Sequence, residues 1–166
     1  MADDDIQLVP GPELRRVANA LRKLDRTLTT QFRKDLKLAT KPMIAEAKRN
    51  AKAIPVVRRS PNKLRRTIAR GVVAQSSVGK LPRVRIIVKM PEESSAIIPR
   101  GLDSPPKGFR HPVFGKREQW VVQKPQTSKR WFMDAMQGGR DDAINAINKT
   151  LADARDYIAS QGGQGE

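Results

Sequence analysis

The chain has 166 residues, which suits one domain with a buried core, and it carries a formal net charge of +16. Such a charge favours an anionic partner, which can be nucleic acid, an anionic membrane or an acidic protein surface. Because there is no cysteine and only one histidine, His111, the composition excludes disulfides, thiolate metal sites, Cys–His catalysis and multi-histidine metal sites.

The N-terminal part of the chain predicts a long amphipathic helix. Its apolar residues recur at steps of three and four, which places them on one stripe of a helix. The stripe contains Leu14, Val17, Leu21, Leu24, Leu28, Phe32, Leu36 and Ala39. Pro42 should break the helix once, with Thr40 capping a second segment that runs through Ala51. The apolar repeat is short, so packing within the domain is favoured over a coiled-coil seam.

The middle of the chain predicts a short helix, a hairpin and a loop. A basic helix is expected over 62–70, ended by Gly71, and two β-like runs at 72–77 and 84–90 indicate a β-hairpin. The segment 91–107 contains four prolines and is expected to form a long extended loop, with a brief strand at 96–98.

The C-terminal part predicts a strand and a final helix. Trp120-Val121-Val122 is typical of a strand, and the helix is expected over 141–160, with an earlier start near Trp131-Phe132 that Gly138-Gly139 loosens. The apolar stripe of this helix contains Ile144, Ile147, Leu151, Ala154 and Ile158.

These elements predict an α+β fold, in which a long N-terminal amphipathic helix and a C-terminal helix pack on a small antiparallel sheet. Residues 1–12 are expected to be a flexible N-terminus, 13–160 a single domain, and 161–166 a disordered tail. The acidic start has no apolar run after it, and no segment reaches the roughly 18 apolar residues of a membrane span. We therefore expect a soluble protein without a signal peptide or a membrane partner.

Enzymatic activity finds little support in the sequence. There is no Gly-x-Ser-x-Gly elbow and no glycine-rich phosphate loop. The acidic pairs Glu92-Glu93 and Asp141-Asp142 are neighbours in sequence, which seldom converge on one substrate, and the second pair suits a helix start. We predict a protein that is not an enzyme, with no catalytic residue, cofactor or metal.

A basic cluster without any acidic residue lies in and before the short helix. It contains Arg58, Arg59, Lys63, Arg65, Arg66 and Arg70. The cluster can neutralise DNA phosphates, dock on an acidic protein partner, or simply form a solvated helix face. Base-specific reading is not expected, because the sequence has no zinc-finger spacing, basic zipper or RNA-binding aromatic signature.

The segment Arg110-His111-Pro112-Val113-Phe114-Gly115 is the most distinctive part of the chain. Read physically, it is a turn that leads into a strand, with His111 a loop residue and the later aromatic residues entering the core.

This segment occurs in an order that resembles a known family. A long basic amphipathic helix precedes Lys-Pro-Met-Ile-Ala-Glu-Ala-Lys (41–48) and Leu-Arg-Arg-Thr-Ile (64–68), followed by a hairpin, Val113-Phe114-Gly115, Trp131-Phe132 and a C-terminal helix. The order resembles the tail-completion or head–tail connector proteins of long-tailed bacteriophages, in the version found in phages of actinobacteria. It covers 14–158. More usual members carry Glu-Phe-Gly-Thr and Pro-Phe where this chain has Val113-Phe114-Gly115-Lys116 and Trp131-Phe132.

The resemblance implies a structural protein of the virion neck, assembled in the bacterial cytoplasm. It implies a ring, expected to be a hexamer, between a head-side connector or stopper and the tail terminator or tail tube, with packaged DNA as a nonspecific contact. The residues expected at the subunit interface are Arg110, His111, Pro112, Phe114, Trp120 and Trp131. The alternative function is a basic protein that binds nucleic acid without sequence specificity.

Overall fold

A computed structural model describes residues 11–55, 64–78, 83–91, 96–104, 108–113, 116–124 and 129–162. The helices are α1 Gly11–Leu24, α2 Arg26–Ala39, α3 Lys41–Ala53, α4 Leu64–Gly71, α5 Ile97–Leu102, α6 Met133–Gly138 and α7 Arg140–Gly162. The strands are β1 Val72–Ser77, β2 Arg83–Val88, β3 Phe109–Val113 and β4 Lys116–Gln123. They pair as β1 with β2 and β3 with β4 in two-stranded sheets. The predicted α+β class is confirmed.

The chain divides into two compact units. The first contains α1, α2, α7 and most of the β1–β2 hairpin, and the second contains most of α3 together with α4, α5, α6, β3 and β4. The single-domain organisation expected for 13–160 stays a prediction. Helix α1 begins at Gly11 and α7 ends at Gly162, two residues beyond each predicted bound.

In the first unit, α1, α2 and α7 pack against one another. Most of their buried residues belong to the predicted stripes, namely Leu14, Val17 and Leu21 of α1, Phe32 and Leu36 of α2, and Ile147 and Leu151 of α7. Ala143 of α7 is also buried, whereas its neighbour Ile144, which the predicted stripe contained, is half-buried. The hairpin adds Val78, Val84 and Ile86 to the buried set. Two hydrogen bonds tie it to the helices, from the Ser76 hydroxyl to the Arg33 carbonyl (3.2 Å) and from the Arg22 guanidinium to the Val78 carbonyl (3.3 Å).

The predicted helix over 14–39 is interrupted at Asp25. Asp25 has extended backbone dihedrals, and its carboxylate accepts hydrogen bonds from the Thr27 amide (2.8 Å) and the Thr27 hydroxyl (2.6 Å). These bonds lower the pKa of Asp25. Asp25 therefore caps the N-terminus of α2. The break takes Leu24 off the apolar stripe, and Leu24 is 46% exposed instead of buried.

The predicted break at Pro42 is confirmed, and Thr40, which lies between α2 and α3, forms a hydrogen bond with each of these helices. The Thr40 hydroxyl donates to the Lys37 carbonyl (2.8 Å) at the end of α2, while its carbonyl accepts from the Ile44 amide (3.1 Å) in α3. Pro42 lies in the first turn of α3. Amide hydrogens in this turn have no acceptor within the helix, so a proline, which lacks this hydrogen, costs no helical hydrogen bond there. Thr40 thus caps α3 through its backbone, and not through its side chain.

In the second unit, the segment expected to be an extended loop contains a helix. Where a brief strand was predicted at 96–98, Ile97–Leu102 form α5, so that prediction was wrong. Pro99 lies in the first turn of α5, where a proline is tolerated. The core of this unit also includes Ala47, Ala51 and Ile54 at the end of α3, Ile68 and Ala69 of α4, and Ala135 and Met136 of α6.

Candidate functional site

The β3–β4 hairpin exposes an unusual run of apolar side chains. Trp120 is 55% exposed, Val121 42% and Val122 57%. Strands β3 and β4 pair antiparallel, with Arg110 opposite Val122. Because successive residues of a strand point to opposite faces, Trp120 and Val122 lie on one face and Val121 on the other. The ribbon therefore presents apolar surface to solvent on both faces.

The hairpin is irregular near its turn. Pro112 lies opposite Trp120, but the next residue, Val113, lies opposite Lys116, so residues 117–119 of β4 have no partner residue in β3. Pro112 has no amide hydrogen to donate, which suits a place where the ladder is interrupted. Such a bulge bends and twists the ribbon locally, which hinders edge-to-edge pairing with other strands.

The residues predicted at the subunit interface do not all lie on this ribbon. Arg110 and Trp120 are exposed on it, and His111 and Pro112 occupy β3. Phe114 lies outside the described residues. Trp131 does not belong to the hairpin at all.

Trp131 is a core residue, which corrects its prediction as an interface residue. It is only 4% exposed, and its indole N–H donates to the Pro99 carbonyl (3.2 Å). Its carbonyl accepts from the side-chain amide of Asn50 (3.2 Å), and its ring meets the Phe132 ring edge-on, with 5.4 Å between the ring centroids. With its ring packed and its N–H paired inside the second unit, the indole presents no surface to another subunit.

Asp103 organises the same region and was missed by the sequence analysis. Its buried carboxylate accepts hydrogen bonds from the amides of Phe132 (2.7 Å) and Met133 (3.2 Å), at the start of α6. Burial raises the pKa of Asp103, although these two hydrogen bonds act in the opposite direction. Asp103 is thus an N-terminal cap supplied from a distant part of the sequence. The spacing of about 30 residues leaves no local pattern to find it by.

The predicted basic cluster forms part of a concave surface. Lys52 of α3 and Arg65, Arg66 and Arg70 of α4 line a concavity of about 750 Å³. Lys52 was not in the predicted cluster, since it lies on another helix. Arg58, Arg59 and Lys63 lie outside the described residues. The structure therefore brings together half of the predicted cluster and adds one lysine.

The arginines in the concavity have different roles. One guanidinium nitrogen of Arg65 donates to the carbonyls of Lys52 (3.1 Å) and Ile54 (3.0 Å), so Arg65 caps the C-terminal end of α3. Arg66 and Arg70 are exposed one helical turn apart, and neither forms an ion pair with any residue that the structure describes. Arg65 has a structural role, whereas Arg66 and Arg70 are available to a partner.

The part of the chain that the structure describes contains no group of three or more histidine, aspartate or glutamate residues that could hold a metal ion. None of its helices is long and apolar enough to cross a membrane. Comparison with family models, with characterised proteins and with solved structures finds no significant match.

Proposed function

We propose that the protein is a ring-forming structural subunit of the neck of a tailed bacteriophage, in the manner of the tail-completion or head–tail connector proteins that its sequence resembles. The observation that carries this proposal is the β3–β4 hairpin, whose Trp120, Val121 and Val122 are exposed on both faces. We propose no catalytic role for it.

The hairpin suits a contact that forms only on assembly. A two-stranded ribbon is at most marginally stable alone in water, and contiguous exposed apolar side chains are typical of interaction surfaces. In a ring, each subunit uses one surface to contact a different surface of its neighbour. The apolar ribbon of one subunit can therefore bind a different surface of the next subunit, and the two contacting surfaces need not be alike.

The charge of the chain favours assembly of the subunits together with oppositely charged components, and disfavours self-association of the isolated subunits. Subunits that each carry +16 repel one another, and the repulsion falls when acidic neighbours or DNA neutralise the charge. We therefore expect isolated subunits to associate weakly and the ring to form in the presence of the adjoining neck and tail proteins.

Electron microscopy of phage lysates tests the proposal. A nonsense mutation in the gene for this chain should yield DNA-filled heads separate from tails, or tails of faulty length, because the joint between them cannot form. A lysate of the same phage on a suppressor strain is the matched control and should contain joined particles. Intact infectious particles from the nonsense mutant on a non-suppressing host would contradict the proposal.

A further inference from the structure

The concavity between α3 and α4 differs in composition from the exposed hairpin. Among the residues that the structure describes, its lining consists of Lys52, Arg65, Arg66 and Arg70, all of which are cationic. At about 750 Å³ it is far larger than a single small anion requires. An extended anion with several charges fits this surface better than an isolated ion.

Arg66 and Arg70 repel each other on α4, and neither forms an ion pair with a residue that the structure describes. They are four residues apart, a spacing at which two like charges destabilise a helix. The sequence of α4 contains no acidic residue to offset them. A polyanion bound in the concavity would relieve this repulsion.

We propose that this concavity binds the phosphate backbone of double-stranded DNA without reading its sequence. Arg66 and Arg70 are about 6 Å apart along the helix axis, while successive phosphates of one strand rise about 3.4 Å each, so the two side chains can reach different phosphates. Guanidinium groups bind phosphate oxygens in a bidentate manner. Arg65, fixed on the α3 carbonyls, adds positive charge at a set position. The inference does not depend on the proposed role in the neck.

The lining favours DNA over an acidic protein as the partner. Protein–protein interfaces have an apolar core surrounded by polar residues, whereas the residues of this lining that the structure describes are all cationic. Contacts with the DNA backbone are mostly ionic and need no apolar core. The net charge of +16 acts in the same direction, since it draws polyanions to the protein at low salt.

Fluorescence anisotropy with a labelled random-sequence DNA duplex tests the inference, using the full chain at salt concentrations from about 50 to about 200 mM. The test variant is Arg66→Gln/Arg70→Gln. The control variant is Arg33→Gln/Lys37→Gln, which removes two exposed cations with the same spacing from α2. Circular dichroism establishes that both variants are folded.

We expect the wild-type protein to bind the duplex with an affinity that falls steeply as salt rises. The test variant should lose about tenfold in affinity at low salt, and the slope of log affinity against log salt should fall by about two, one for each phosphate contact. The control should lose less than about threefold with an unchanged slope. Equal losses in the two variants, or no binding by the wild-type protein, would overturn the inference. So would a poly-glutamate peptide that binds as tightly as the duplex and with the same dependence on Arg66 and Arg70.

Discussion

At Gly71 the backbone packing of the second unit leaves no room for a side chain. The Gly71 carbonyl accepts a hydrogen bond from the Lys89 amide (2.9 Å), which holds the two backbones together at the junction of α4 and β1. A Cβ atom at this position would overlap the Lys89 carbonyl oxygen and lie 3.1 Å from its carbonyl carbon. Because the obstacle is backbone, it cannot move aside as a flexible side chain would.

Substitution of alanine for Gly71 should therefore lower the free energy of unfolding by about 1–3 kcal/mol, the usual cost of an overpacked site. Gly138, at the end of α6, is the matched control, since an added Cβ there has nothing within 4 Å. Gly138→Ala should be neutral or stabilising by up to about 1 kcal/mol. Urea denaturation measures both variants. Equal effects of the two substitutions would contradict the packing at Gly71.

Asp103 should make the stability of the protein depend on pH in a specific direction. Burial raises its pKa above the ordinary value of 3.8, so the folded protein binds this proton more tightly than the unfolded chain does. The resulting stabilisation is fully present below pH 3.8 and is lost as pH rises through the folded-state pKa.

The Asp103→Asn variant has no proton to bind at this site, while its side-chain oxygen still accepts from an amide. The free energy of unfolding of the wild-type protein should therefore fall relative to that of Asp103→Asn as pH rises from 3.8 toward neutrality. Asp103→Ala should cost about 1–3 kcal/mol, because the amides of Phe132 and Met133 lose their acceptor. Denaturation at several pH values measures these differences. If the free energy of unfolding of the wild-type protein instead rises relative to that of Asp103→Asn as pH rises, the pKa of Asp103 is not raised in the folded protein.

At the scale of elements, α3 depends on a residue of α4 to close its C-terminal end. Arg65 donates to two carbonyls there, and its positive charge also complements the negative end of the helix dipole. Arg65→Gln should lower the free energy of unfolding by about 1–3 kcal/mol. Its exposed neighbour provides the control, and Arg66→Gln should change stability by no more than about 0.5 kcal/mol. Thermal denaturation of the two variants would reject the capping role if their midpoints shift equally.

The periodicity of apolar residues in the sequence predicted the elements that have a local sequence signature. The buried residues of α1, α2 and α7 follow the three- and four-residue steps that the sequence shows, and Trp120-Val121-Val122 lies in a strand as expected. The break at Asp25 escaped notice because the apolar steps continue across it from Leu24 to Leu28. The Asp25 carboxylate nevertheless gives a recognisable capping signal beside Thr27.

The remaining features depend on contacts between residues that are distant in sequence. Helix α5 has a proline and a glycine in its six residues, which favour a loop by propensity, yet it forms within the packed second unit. Trp131 was predicted at the subunit interface from its position in the chain, but it is buried and its indole N–H donates to the Pro99 carbonyl, as the alternative expectation of core aromatic residues requires. Lys52 joins the basic concavity only because α3 and α4 are adjacent in space. None of these contacts has a signature within a short stretch of sequence.

At the scale of the whole molecule, the net charge of +16 should govern self-association. Repulsion between like-charged subunits is screened over about 10 Å at 0.1 M salt and over shorter distances as salt rises, while apolar contacts are little affected. The isolated protein should therefore be monomeric at low salt and associate more as salt increases. Sedimentation velocity across a salt series measures this. An oligomer that is stable at low salt and dissociates as salt rises would indicate ionic contacts in place of the apolar hairpin.

The most direct test of the hairpin as the ring contact is complementation of the nonsense phage with variant chains. Trp120→Ala/Val122→Ala removes the exposed apolar side chains from one face of the ribbon, and Leu38→Ala/Tyr157→Ala removes two comparably exposed apolar side chains from helices of the first unit. We predict that the hairpin variant folds but restores less than about one hundredth of wild-type infectivity, because a ring repeats the weakened contact at every subunit boundary. Its lysates should contain unjoined heads and tails, while the control variant restores infectivity. Full infectivity with the hairpin variant, or an equal loss with both variants, would contradict the assignment.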